Sequence, residues 1–448
     1  MIEQNTKVFG LWSAVFLGIG SMVGAGIFVL LGEAGAIAGS LVWISFIFGG
    51  IIALLSGYSL AKLATAYPSR GGIVEYLVQC YGEGIFSGSL SVLFYLSAMV
   101  AIAMVAKTFG TYAAMMSVGN SSALWTSGYA VGILLFFMFI NLAGSSLIAK
   151  SEDIIVIIKL SIIIIFTVVV LFYIKPELLS FKDAPPVMNV FSSIALTFFA
   201  YEGFRVITNT AEDMDNPGKL MLRAMTVAIV LVMVLYVAVT FAVFGNLPLS
   251  GIIKAHDYAL AEAARPAFGQ TGFTIMAMAA LISTASSINA NLYAVANVTY
   301  QMAKNGELPE VYERNVWHSS EGLIVSTLIM IVFILFFDLT EIAAIGSISI
   351  LFIHAMVHIG HLLKINETKA SKVLVVFAIL TIAAAIVLAL NYTSGHIPNV
   401  GYFITAGFVL AFLIEIGLRL LTKRVVSKQM HHGIIDTLEN EIKEFTEE

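Results

Sequence analysis

The stretch GIGSMVGAGIF (Gly18–Phe28) lies inside the first long apolar run and carries glycines at Gly18, Gly20, Gly24 and Gly26. Glycine costs a helix interior ~1 kcal/mol relative to alanine, so this density favours local unwinding. Backbone at membrane depth can be irregular only where protein buries it or it lines a cavity. A second interruption is expected in FFAYEGFRVITNTAEDMDNP (198–217), where Gly203 follows Glu202 and precedes Arg205. Free N–H and C=O groups at such breaks suit a solute that carries an anion and a cation on adjacent atoms, as an α-amino acid does. Small-residue patterns also serve close helix packing in membranes. For the first stretch alone both readings stand, and its pairing with the second favours a site.

Composition supplies the setting. Of 448 residues 59% are hydrophobic and 11% charged, with a mean hydropathy of +0.95. That is the profile of an all-α polytopic membrane protein. Net charge −5 speaks against nucleic-acid partners, and the one cysteine, Cys80, excludes an internal disulfide and any multi-thiolate metal site. The polar start MIEQNTKVFG lacks the layout of a cleaved signal peptide, so the first run is expected to stay as a span.

Apolar runs of about 20 residues predict twelve spans, at roughly 11–31, 41–65, 85–107, 128–146, 153–174, 190–210, 222–245, 271–301, 323–338, 341–363, 373–392 and 401–421. A single transmembrane domain over 1–421 is followed by an acidic, solvated tail over 422–448. Of the Lys and Arg residues, about sixteen fall on the side of the N-terminus and about five opposite, which places both termini in the cytoplasm. The interrupted spans are the first and sixth, the openings of two five-helix halves. Five is odd, so the halves have opposite topology, an inverted repeat over roughly 11–174 and 190–363 with two peripheral helices over 373–421.

Span five holds Lys159 in DIIVIIKLSIIIIFTVVVLFYI (153–174). An ammonium near the bilayer midplane costs at least ~2.5 kcal/mol, so its retention points to use. Desolvation favours release of its proton. Snorkelling or a structural pairing is the alternative, since the polar KSED segment is close by.

The two interrupted stretches, together with GNLPLSGIIKAHDYALAEAARPAFG (245–269), STASSINANLYAVANVTYQMAKNGELP (283–309) and the span-five lysine, resemble the amino acid–polyamine–organocation (APC) superfamily. Within it they look most like the proton-coupled amino acid transporters, over about 11–421. The resemblance implies a LeuT-like fold of ten core helices in a 5+5 inverted repeat plus two peripheral helices. It implies that the backbone of Ser21, Met22, Val23, Gly24, Ala25 and Gly26 takes the substrate carboxylate. Backbone around Phe199, Ala200, Tyr201 and Glu202 takes the amino group. It further implies that Lys159 stands where sodium sits in sodium-coupled relatives, contacting the Gly20 carbonyl and Ser283. A sodium-independent, proton-coupled importer of L-amino acids in the plasma membrane is the expected function, with amino acid, protons and lipid as partners and no cofactor.

One departure from the family pattern is Glu202, where an apolar residue is usual. An i,i+3 ion pair with Arg205 would neutralise it. A carboxylate facing the pocket would instead favour amine-bearing substrates or serve as a second proton site, and would suit an antiporter or polyamine carrier. His354, His358 and His361, at i, i+4 and i+7 on span ten, have no carboxylate at ligand spacing. They read as a wet cavity lining or interfacial histidines rather than a metal site. Lys107 is expected to snorkel from the outer end of span three, and Arg70 and Glu75 are candidate inward-gate contacts. No paired catalytic carboxylates, zinc motif or Gly-x-Ser-x-Gly sequence points to an enzyme. A channel or receptor would need a continuous polar stripe or a large ligand-binding domain, and neither is evident.

Overall fold

A computed structural model describes residues 10–69, 71–143, 148–179, 185–214, 216–304, 308–316 and 319–422. The acidic tail and Arg70 lie outside the described residues. The architecture is all-α. Among the described residues ten helical segments are long and apolar enough to cross a membrane, and two shorter ones, Ile155–Leu171 and Glu321–Phe336, bring the apolar helices to the expected twelve.

Span one is three pieces, α1 (Leu11–Met22), α2 (Ala25–Phe28) and α3 (Leu30–Ala38). Span two is α4 (Val42–Ala66), followed by α5 (Ile73–Tyr81). Spans three, four and five are α6 (Ile85–Ser117), α7 (Ala123–Ala143) and α8 (Ile148–Leu171). Span six is α9 (Val187–Ser192), α10 (Ile194–Tyr201) and a 3₁₀ helix over Glu202–Asp213. Span seven is α11 (Pro217–Phe244), and the connection to span eight holds α12 (Leu249–Ala255) and α13 (Ala259–Glu262). Spans eight to twelve are α14 (Arg265–Lys304), α15 (Glu321–Phe336), α16 (Leu339–Leu363), α18 (Lys372–His396) and α19 (Val400–Thr422), with the short α17 (Ile365–Thr368) before α18. A two-residue antiparallel pair, Asn315–Val316 with Ser319–Ser320, is a minor addition.

Burial differs widely among the spans. In α6 and α16 the apolar windows are 89% and 83% buried inside the protein, whereas those of α18 and α19 are 28% and 17% buried. All four are apolar enough to span, so the difference lies in what they touch: protein in the centre, lipid at the edge. The last two helices are thus among the least buried spans, together with α7, whose apolar window is 22% buried.

Local chemistry explains several boundaries. Asn216 caps α11 by accepting from the Lys219 N–H, and Pro217 occupies its first turn. The Asn-Pro pair thus starts span seven. Asp338 and Glu341 form a reciprocal capping box on α16. Span three runs ten residues beyond its expected end, because Lys107 does not mark an interface. It is buried and donates to the Phe337 carbonyl just past α15. A cation on the free carbonyls of a helix C-terminus is favourable, and this replaces the expected snorkelling.

Candidate functional site

The glycines of span one produce the break that they suggest. After Met22 the helix stops, the Gly24 N–H turns back to the Met22 carbonyl at 2.9 Å, and helix resumes at Ala25. A helix end leaves its last carbonyls without partners, and here side chains from four other spans take them. Lys159 Nζ donates to the Gly20 carbonyl at 2.8 Å. The Tyr236 hydroxyl donates to Met22 O at 2.6 Å, Ser283 Oγ to Val23 O at 3.1 Å, and the Tyr112 hydroxyl to Phe28 O at 3.1 Å. Spans five, seven, eight and three therefore each hold the broken helix through one backbone oxygen.

Span six leaves regular α-helix where the sequence suggests, after Tyr201, though by tightening rather than by opening. Its regular α-helix is interrupted at Ser193, and from Glu202 it continues as a twelve-residue 3₁₀ helix instead of unwinding at 200–203. Runs of 3₁₀ beyond three or four residues are uncommon, since their hydrogen bonds are poorer, and mid-span they often mark a hinge. Close packing accompanies it: a Cβ on Gly203 would lie 2.4 Å from the Met22 nitrogen, and one on Gly26 would lie 2.6 Å from the Ala200 oxygen. The two broken helices thus meet backbone to backbone. Tyr236 sits between them, 3.3 Å from the Ala200 carbonyl as well as on Met22.

A cavity of about 100 Å³ opens beside this crossing, lined by Ser21, Met22, Gly26, Phe199, Ala200 and Glu202, with Arg205, Ser287 and Asn291 among the polar additions. Val23, Gly24 and Tyr201, expected in the same site, are not in its lining, and the side chain of Ala25 lies outside the described ones. Tyr201 in particular points the other way, its hydroxyl donating to the Phe46 carbonyl of span two at 3.0 Å. Gly20, Lys159 and Ser283 lie behind the break. Lys159 is 1% exposed, and the Ser283 hydroxyl donates to Val23 O.

Glu202 combines both alternatives raised by the sequence. One carboxylate oxygen is 2.8 Å from Arg205 Nε, an ion contact out of line for a hydrogen bond, and the residue lines the cavity. The other oxygen is 2.9 Å from His354 Nε2. The three histidines are fully buried, which corrects the expectation of a wet or interfacial position. They face span two: Ser56 Oγ lies 2.6 Å from His354 Nδ1 and 2.9 Å from His358 Nε2, and Ser59 Oγ is 2.7 Å from His361 Nδ1. The sequence reading missed Tyr236, Tyr112, Ser56 and Ser59. For the serines a signal was available, since i,i+3 hydroxyls on one helix match i, i+4, i+7 imidazoles on another.

At the far end of the bundle Glu33 of α3 meets the loop between spans seven and eight. Glu33 accepts from Thr340 at 3.0 Å and lies 3.6 Å from His256 Nε2, while His256 Nδ1 is 2.9 Å from Asp257. Burial alone would lower the His256 pKa, but the Asp257 hydrogen bond and the charges of Glu33, Asp257 and Asp338 outweigh it and raise the value to about 9. A cation favoured by the fold stabilises fully below its ordinary pKa of 6.5, and the contribution is lost as pH rises through about 9. Between pH 7 and pH 10 the melting temperature of the detergent-purified protein is expected to fall further in wild type than in His256→Gln, by roughly 2–4 °C. Superimposable curves would remove His256 as the cause.

Interrupted helices that cross at mid-span over a small cavity, inside a bundle of twelve apolar helices, have the layout of a multi-pass membrane transporter. Residues 9–366 match the family model described as "Amino acid permease". The chain belongs to that family, and it is a transporter for which amino acids are the class of solute. It is 36% identical over 433 residues to the uncharacterized protein MJ0609 of Methanocaldococcus jannaschii, covering 96% of this chain and 99% of that one. It is 34% identical over 387 residues to the inner membrane transport protein YbaT of Escherichia coli, covering 86% and 90%. The serine/threonine exchanger SteT of Bacillus subtilis is 28% identical over 314 residues, covering 68% and 69%.

Proposed function

We propose that the protein imports L-amino acids together with protons, independently of sodium, by alternating access across the cell membrane. Residues 1–421 form the transport domain, and both termini and the tail 422–448 lie in the cytoplasm. One observation carries the reading: the buried Lys159 ammonium donates to Gly20 O at the break of span one. An ammonium there supplies the charge that a bound cation would, and losing its proton removes that charge and so weakens the tie between spans five and one. The inward–outward equilibrium then shifts by the difference in Lys159 stability between the two states.

The substrate carboxylate is assigned to backbone groups of Ser21–Gly26, and the amino group to carbonyls around Phe199, Ala200 and Glu202. The cavity supports this, because six of those residues line it. Uptake into sodium-free proteoliposomes of a panel of labelled neutral, cationic and acidic amino acids and polyamines, with and without an inward proton gradient, tests the whole reading. Gradient-stimulated uptake of at least one α-amino acid is expected, and strict sodium dependence would refute it.

A second reading, an exchanger that selects amine-bearing solutes, is favoured by the Glu202 carboxylate in the cavity wall and by the exchanger among the relatives. Glu202→Gln removes a negative charge and keeps the shape. Its expected result in competition assays is a fall of roughly tenfold in the preference for cationic over neutral substrates. An unchanged ranking with normal uptake would leave Glu202 as the structural partner of Arg205 and His354.

A further inference from the structure

Span ten carries titratable groups that the coupling scheme above does not use. His354, His358 and His361 each show 0% exposure, and their partners form a nearly continuous line. From the cavity it runs Glu202 Oε2 to His354 Nε2 (2.9 Å), His354 Nδ1 to Ser56 Oγ (2.6 Å), and Ser56 Oγ to His358 Nε2 (2.9 Å). One helical turn further, Ser59 Oγ meets His361 Nδ1 (2.7 Å), and His361 Nε2 meets Thr368 Oγ1 (2.8 Å). Thr368 borders a second cavity, of about 260 Å³, with Lys62, Thr65 and Glu367. The two sets of contacts therefore lie along spans two and ten between the cavity at the broken helices and this second cavity, with no hydrogen bond from His358 to the Ser59–His361 pair among the described residues.

We propose that Glu202, His354, Ser56 and His358, continued by Ser59, His361 and Thr368, form a proton relay between the substrate cavity and the cytoplasmic face. Every link is a group that both accepts and releases a proton: a neutral imidazole has one donor and one acceptor nitrogen, and a hydroxyl has both functions. Ser56, set between two ring nitrogens, donates to one and accepts from the other. Among the described residues His358 Nδ1 is buried without a hydrogen-bond partner and is free to pass a proton on.

The transfer balances. The Glu202 carboxylate first takes a proton from the cavity on Oε2, and that O–H then breaks as an N–H forms on His354 Nε2. The His354 Nδ1–H passes to Ser56, whose own proton passes to His358 Nε2, and His358 Nδ1 releases a proton toward the Ser59–His361 pair. One proton enters and one leaves, with each ring in its other tautomer. The charged or titratable groups around the rings are Glu202 and Arg205 on span six, Lys62 beside His361, and Cys80 and Tyr81 of α5 against the helix at Gly360 and Met356.

The relay rests on the proton-coupled reading and adds a route to it, with Lys159 setting the conformational balance. Wild-type full-length protein in liposomes loaded with a pH-sensitive dye is given the fastest-transported amino acid of the panel above. Proton entry per amino acid is measured beside counterflow at equal pH, which needs no net proton movement. Counterflow without substrate-evoked proton entry in wild type would defeat the coupled reading itself.

In His358→Gln and Ser56→Ala counterflow is expected to stay near wild type while proton entry falls at least about tenfold. Unchanged proton entry in either variant overturns the relay. So does an equal loss of both activities in both variants, which would mark the line as a structural tie.

Discussion

Lys159→Ala leaves a protein whose uptake no longer responds to an inward proton gradient. Hydrogen bonds to a charged group are worth ~1.5–3 kcal/mol, so removing this one corresponds to a loss of roughly 10- to 150-fold in the gradient-driven component. The Lys159–Gly20 bond is the only charged one among the four contacts to carbonyls of the broken helix, and those from Tyr236, Ser283 and Tyr112 keep the break assembled in the variant. Substrate binding and counterflow are therefore retained, and the defect is specific to coupling. Lys159→Arg uncouples as well, for the opposite reason: guanidinium keeps its proton in proteins, so the cationic state is permanent. The measurement is uptake against external pH in sodium-free buffer for wild type and both variants. Proton-driven uptake persisting in Lys159→Ala would dismiss the lysine as the coupling group.

What the sequence discloses, and what it hides, divides along the range of the interaction. The cost of Lys159 in a membrane helix and the weakness of a glycine-rich turn are local properties, legible without knowing any neighbour. Tyr236 is different. A tyrosine in an apolar span is unremarkable until its hydroxyl is found on the Met22 carbonyl 214 positions away. A buried tyrosine hydroxyl usually finds some partner, but the sequence does not say which.

Glu202 shows a second limit. The ion-pair and pocket-facing accounts exclude each other only if a carboxylate has one neighbour, and this one has Arg205 on one oxygen and His354 on the other. Lys107 shows a third: charge near a span end reads as an interface signal, yet its ammonium is spent on the end of another helix. The 3₁₀ run of span six is likewise non-local. Gly203 announces weakness there, but the tight continuation coincides with backbone contact against Met22, which no residue type encodes.

That contact gives the other large expected effect. Gly203→Ala is expected to lower uptake at least about tenfold, because overpacking costs ~1–3 kcal/mol and the strain falls on the site itself. In a free helix the same change would stabilise by ~1 kcal/mol, so the two effects oppose and the contact decides the sign. The added methyl would lie 2.4 Å from the Met22 nitrogen and 2.5 Å from the Ser21 carbonyl carbon, backbone atoms that no rotamer change can move. The broken helices must separate, and with them the groups assigned to the substrate carboxylate and amine. Gly26→Ala is the reciprocal case, at 2.6 Å from the Ala200 oxygen, and is expected to match it. Gly18→Ala sets the contrast: its methyl meets the tip of the Ile207 side chain at 2.5 Å, which can rotate aside, so the loss is small. Gly128→Ala, with nothing within 4 Å, is expected to be silent. Uptake per folded molecule, normalised by gel filtration, ranks the four variants. Wild-type uptake in Gly203→Ala would mean that the crossing is not part of the transport site.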